Sequence, residues 1–262
     1  MKLRYGLIVG LLALPVVSNA DPGAIVPVTT NKDDSPERVK SGKVFASTDT
    51  DLPPALGPSP AKVIVIVFSD FECPVCRRTA DATQQIPEEF PGEVRVEFWQ
   101  HPLTTHAGAE SVAVASLAAQ RQGKFWEFHD ELFRNQGALD ATSVAGYAAR
   151  LGLEPERFKN DCAAPGLRTR VQEEAAFAEK FGAVNTPAFM INGKVKSGWG
   201  SWYGFKADVE RELAEARKLE VDGASVEQIA ERRARIQIDD NGLFQAYREQ
   251  VLHIAPDPPP LR

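Results

Sequence analysis

Cysteine is scarce in this chain: Cys73, Cys76 and Cys162 are the only three in 262 residues. So low a count excludes a small fold stapled by disulfides, and it leaves one thiol over if two are partners. No second Cys-x-x-Cys and no close pair among the four histidines accompanies the first, so a four-ligand zinc site lacks its other half. No long basic run is present and the formal net charge is −6, which argues against a nucleic-acid surface. Internal repeats are lacking. Beyond residue 20, no stretch is apolar enough to span a membrane.

What is present is ordinary for a globular chain: 43% hydrophobic and 25% charged residues, in a length that suits one domain with extensions. The first twenty residues, MKLRYGLIVGLLALPVVSNA, have Lys2 and Arg4, an apolar stretch from Leu7 to Val17, and small or polar residues up to Ala20. That is the pattern of a secretory signal peptide cleaved after Ala20, with an uncleaved anchor as its rival. The mature chain is then expected to be periplasmic or secreted, where disulfides persist. Residues 21–60 hold seven prolines and predict an extended lead-in, with a short edge strand near Val44-Phe45.

The run Lys62 to Phe68 is almost wholly β-branched and predicts a strand buried on both faces. Pro74 to about Phe90 fits one helix, ending near Pro87 and Pro91. In EVRVEFWQ, Val94, Val96 and Phe98 alternate with Arg95, Glu97 and Trp99, which reads as a second strand. After His101-Pro102, about eighty residues have helical periodicity with Gly and Pro punctuation. Asn192-Gly193 then marks a two-residue hairpin, and an amphipathic helix follows. Strand, helix, strand, helical block, hairpin, helix is an α/β order, with a mixed central sheet covered by helices. Two more helices are expected at about Ser225–Ile236 and Asn241–Leu252, before a proline-rich tail.

The stretch FSDFECPVCRR places Cys73 and Cys76 where the first strand gives way to a helix. Pro74 suits the first helical position, because its missing N–H would go unpaired there. The Cys73 thiol then faces the free amides of the first turn, which favour a thiolate, and Arg77 and Arg78 add positive potential. A stabilised thiolate destabilises the disulfide relative to the dithiol, so that disulfide would oxidise other thiols. Cys76, one turn deeper, would resolve a mixed disulfide formed at Cys73. Half of a metal site and an inert clasp are the rival readings. The strand-to-helix junction in an exported chain favours redox chemistry.

FSDFECPVCRR after KVIVIV, with QGKFWEFHDELFRNQ and FGAVNTPAFMINGK downstream, resembles the DsbA-like group of thioredoxin-fold proteins over about residues 60–220. The resemblance implies a thioredoxin-like domain at 61–220 with a helical insertion at about 103–182, and leaves 221–262 as a helical extension and tail. It implies Cys73 as nucleophile, Cys76 as resolving thiol, and Thr186-Pro187 as a cis-proline site that docks a client chain. Protein thiols and disulfides would be the substrates and a membrane reoxidant the partner, with no cofactor and no metal called for. The chain departs from many thioredoxins in having no acid within the strand Val63 to Phe68, leaving Glu72 or Glu97 as substitutes. Its Pro-Val dipeptide also differs from the aromatic or histidine frequent in second place. A reductase or isomerase, or a copper-delivery module using His101 or His106, are the alternatives.

Four further features call for a reading. Cys162, after a predicted short helix, reads as a buried free thiol. His106 reads as a capping or packing residue, with thiolate tuning as the sharper alternative. GWGSWYGF reads as packing of the last strand on the final helix, or as an apolar rim for unfolded clients. The mixed-charge C-terminal helices read as a solvated cap, or as a dimer contact.

Overall fold

A computed structural model describes residues 50–255. The expected leader, the strand near Val44-Phe45 and the last residues of the tail lie outside that range.

Five strands form one mixed sheet in the order β1-β3-β2-β4-β5. The central strand β2 (Val63–Ser69) is buried along its whole length, as its β-branched run predicts. It pairs in parallel with β3 (Val94–Gln100) and antiparallel with β4 (Ala188–Ile191). The edges are β1 (Ala55–Leu56), antiparallel to β3, and β5 (Lys194–Ser197), antiparallel to β4. Asn192 and Gly193 make the β4–β5 turn at φ of 44° and 90°, the backbone that Asn-Gly tolerates.

Helix α1 (Pro74–Glu89) crosses over between β2 and β3. It runs through Pro87, where an end was expected: the proline forgoes its own amide bond but not the turn around it. With α7 (Trp202–Val221) it covers the sheet face formed by Val63, Val65, Val67, Val94, Val96, Phe189 and Ile191. The helical block comprises α2 (Ala109–Gln120), α3 (Phe125–Arg134), α4 (Ala141–Arg150), α5 (Pro155–Ala163) and α6 (Pro165–Lys180). Helix α2 is buried nearly all round, whereas α3 turns Phe125, Phe128, His129, Leu132 and Phe133 inward.

The alternation in β3 suggests one solvent-facing side, yet all seven residues are buried. The reason is the C-terminal extension. Helices α8 (Val226–Gln237) and α9 (Asn241–Gln250) join α6 in covering Ile64, Ile66, Phe68 and Trp99. Arg95 and Glu97 are paired within the strand at 2.8 Å, and Trp99 donates its indole N–H to Glu97 at 3.1 Å, which meets the requirement that buried charges have partners. One polar knot holds the extension down. Arg233 of α8 forks onto Glu212 of α7 at 2.8 and 2.9 Å. Asn192 donates to Glu212 at 3.0 Å and accepts from the Ile64 amide at 2.9 Å. The extension is thus a cap on the core, but its charges are partly buried rather than solvated.

Candidate active site

The site begins where β2 ends. Asp70 to Cys73 form a tight turn, closed by the Cys73 amide donating to the Asp70 carbonyl at 3.1 Å. The buried Asp70 carboxylate accepts from the Glu72 amide at 2.7 Å, the side-chain turn that aspartate favours. Cys73 is the N-cap of α1, in an extended backbone (φ −75°, ψ 119°), and Pro74 opens the helix. Gln136, in the loop after α3, donates to the carbonyls of Phe71 and Cys73, both at 2.8 Å. One amide side chain therefore clamps the turn from outside.

The two thiols have opposite environments. Both are free and buried, Cys73 at 5% exposure and Cys76 at 0%. The Cys73 pKa is held down at about 5. The largest cause is the Cys76 thiol donating to its sulfur; burial opposes it, and the Thr186 hydroxyl and the Cys76 and Val75 amides add to it. Arg77 and Arg78 are exposed and do not figure among the leading causes, so the expected guanidinium contribution gives way to hydrogen bonding. The Cys76 thiol is pushed up, first by burial and then by giving its proton toward Cys73, while Ser69 works the other way.

Across from the thiols, the Thr186–Pro187 peptide bond is cis. The Thr186 carbonyl accepts from the Cys73 thiol at 3.4 Å, so the four residues Cys73, Cys76, Thr186 and Pro187 share one site. The Thr186 hydroxyl is buried and has no hydrogen-bond partner among the described residues while Cys73 carries its proton, which leaves it free to donate to the thiolate. Two residues before it, Val184 is 62% exposed.

Asp70 carries a second connection. Its other carboxylate oxygen accepts from the Leu103 amide at 2.8 Å and bonds His106 Nδ1 at 2.7 Å. Glu72 accepts from the Gly108 amide at 3.2 Å, at a close approach where a Cβ on residue 108 would meet its carboxylate. His106 is therefore part of the site's frame rather than a plain cap. Glu72 and Glu97, weighed as acids for the resolving thiol, are occupied by Gly108 and by Arg95 and Trp99. His101 follows directly on β3 and is buried, and that burial is the leading cause of a lowered pKa. Among the described residues, no three His, Cys, Asp or Glu side chains converge as a metal site.

Sequence reasoning missed Asp70 and Gln136. Asp70, three residues before Cys73, had a legible signal as a turn former; Gln136 had none. Cys162 lies within α5 rather than after it, half-buried, with burial as the main cause of a pKa raised to about 11. In GWGSWYGF, Trp199 and Phe205 pack on Phe189, Trp202 is buried, and Tyr203 is 76% exposed.

A family model described as thioredoxin matches residues 49–222. The chain belongs to the thioredoxin family. Among solved structures, this thioredoxin-family chain is similar to a thioredoxin-like oxidoreductase from Silicibacter pomeroyi DSS-3. That likeness has 30% identity and a TM-score of 0.57, covering 63% of this chain and 92% of the other. BdbD from Bacillus subtilis shares the fold at a TM-score of 0.56 and 23% identity, over 66% of this chain and all (100%) of BdbD. Curated relatives include the Na(+)/H(+) antiporter NhaA 1 of Salinispora arenicola, 37% identical over 153 residues, or 58% of this chain. The chain spans only about a quarter of that relative's length, 23%. Family, fold and the paired thiols support the chemistry of a thiol–disulfide oxidoreductase.

Proposed function

We propose that this thioredoxin-family protein is an exported, DsbA-like oxidant of protein thiols, working through Cys73 and Cys76. The observation that carries the reading is the opposed state of the two sulfurs: Cys73 held down at about 5 beside a Cys76 that keeps its proton. In the oxidised form a client thiolate attacks the Cys73 sulfur. The Cys73–Cys76 bond breaks and Cys76 leaves with the electron pair, taking up a proton. A second client thiolate then attacks the client sulfur of the mixed disulfide, and Cys73 departs as a thiolate. The client gains a disulfide and the enzyme becomes a dithiol. A low pKa makes Cys73 the better leaving group in this second step. Thr186 and Pro187 serve as the dock for an extended client segment, with Val184 beside it. A membrane redox protein regenerates the disulfide. The leader-like residues 1–20 support export. Among the described residues, no helix is long and apolar enough to cross a membrane.

Equilibration with glutathione tests the direction. A reduction potential well above that of cytosolic reductants is expected; one as low as about −270 mV overturns the oxidase reading in favour of a reductase. Cys73→Ser is expected to abolish exchange, and Cys76→Ser to trap mixed disulfides with clients. Undiminished exchange in Cys73→Ser removes Cys73 from the mechanism.

A further inference from the structure

His106 is 36 positions from Asp70 in sequence, yet its Nδ1 lies 2.7 Å from a buried Asp70 oxygen. Asp70 also closes the turn that carries Cys73. Its carboxylate thus belongs to the same turn as the sulfur that ionises, three residues before it. The imidazole is a quarter exposed, 25%, so its proton exchanges with solvent, while Asp70 is fully buried. Among the leading influences on His106, the charged groups are Asp70, Cys73 and Glu72, all from the turn between β2 and α1. We propose that His106, held by Asp70, is a positioning residue whose imidazolium cancels the Asp70 charge beside Cys73 and so sets the pH range over which the Cys73 thiolate is favoured.

The sign follows from the contacts. With His106 protonated, the carboxylate and imidazolium form a neutral pair next to the thiolate. When the imidazole loses its proton, the Asp70 carboxylate keeps only the Glu72 and Leu103 amides as partners, no cation balances its charge, and the nearby Cys73 sulfur holds its proton more tightly. The Asp70 hydrogen bond raises the imidazole pKa, partial burial opposes it, and the Cys73 anion is a further raising cause. Coupling free energies are reciprocal, so an imidazole that gains protons from the thiolate must favour that thiolate to the same extent. The dipeptide between the cysteines is Pro74-Val75 and supplies no charge of its own, which leaves this role to a residue from the other loop.

The inference rests on Cys73 being the reacting thiolate, and the test separates the two. Thiolate absorbance at 240 nm is titrated in the full chain, alongside the alkylation rate of Cys73. His106→Gln is expected to raise the Cys73 pKa by about one unit, a tenfold loss of thiolate at acidic pH. His106→Lys restores it in part. Asp70→Asn combined with His106→Gln brings it back toward the parent value, because the uncompensated carboxylate is gone; a merely structural role predicts that the double variant is the worst of the set. A second measurement needs no variant. The His106 ring titration, followed by NMR, should have a higher midpoint in the dithiol than in the disulfide form. An unchanged Cys73 pKa in His106→Gln, or one midpoint in both redox forms, overturns the inference and leaves the proposed function standing. An ordinary thiol pKa for Cys73 in the parent chain overturns both.

Discussion

The depressed Cys73 pKa makes the stability of the dithiol form depend on pH in a way the disulfide form cannot share. The native value is about 5 against an ordinary thiol value of 9.0. For an acid whose native pKa lies below its unfolded one, the stabilisation is complete above the unfolded value and vanishes below the native one. Between pH 5 and 9 the unfolded chain binds the extra proton, so the dithiol form gains stability as pH rises. At pH 7 the native thiol is about 99% ionised and the unfolded one about 1%, which corresponds to roughly 2.7 kcal/mol. Cys73 is buried but lies directly beside the exposed Pro74 at the helix mouth, and screening from that rim trims this to about 2 kcal/mol. For a two-electron couple that is about 40 mV toward a more oxidising disulfide. Cys76 contributes almost nothing up to pH 7, because burial keeps it a thiol in the native state and the ordinary value of 9.0 keeps it one in the unfolded state; toward pH 9 it begins to oppose the gain.

The assay is urea unfolding of the reduced and the oxidised chain at pH 5, 6, 7 and 8. The difference in unfolding free energy between the two forms should shift by about 2 kcal/mol in favour of the dithiol between pH 5 and 7, and keep shifting to pH 8. All other titrating groups are shared by the two forms and largely cancel. A difference that stays flat from pH 5 to 8 refutes the stabilised thiolate, and with it the reasoning from the helix mouth.

Two further predictions concern the frame around the site. Gln136→Ala removes both bonds to the Phe71 and Cys73 carbonyls, and is expected to cost about 1–3 kcal/mol in a urea melt and to slow thiol exchange. An unchanged alkylation rate for Cys73 in that variant shows that the clamp is not needed. Glu212→Ala strips Arg233 of its forked partner between α7 and α8, and is expected to cost about 3–5 kcal/mol while leaving the Cys73 pKa unchanged. A loss below about 1 kcal/mol means that water reaches the guanidinium and that the knot is not a buried pair.

The elements that were legible are those whose cause is local. A β-branched run made β2, Asn-Gly made the β4–β5 turn, and Pro74 fixed the start of α1. What escaped was set by contacts distant in sequence. His106 reaches Asp70 across 36 residues, and Gln136 reaches the Cys73 carbonyl across 63. Polar side chains carry no periodic signature of where they will bond, so His106 read as a cap or packing residue and Gln136 as one more position of a helical stretch. The same limit applies to β3: its charged positions imply a wet face, and only the docking of α8 and α9 reveals that Arg95 and Glu97 are paired and covered. The positive potential expected from Arg77 and Arg78 is absent from the leading causes of the low thiol pKa for a related reason. Two cations one turn along the sequence are exposed, while the donors that matter are a thiol and amides at hydrogen-bond range.

That difference bears on how a Cys-x-x-Cys pair is given a direction. The spacing alone is symmetric, since either sulfur can attack and either can leave. Depth breaks the symmetry. Cys73 lies at the helix mouth with the Val75 and Cys76 amides and a thiol as donors, whereas Cys76 lies one turn in, wholly buried, with only Ser69 and the Asp70 backbone opposing burial among the leading influences. No carboxylate is given to Cys76: β2 has none, and Glu72 and Glu97 are bonded elsewhere. The proton therefore resides on the deeper sulfur and the charge on the outer one. On the proposed mechanism this makes Cys73 the sulfur that clients meet and leave. The charge proposed to adjust that preference, His106 on Asp70, comes from the loop opposite rather than from between the cysteines.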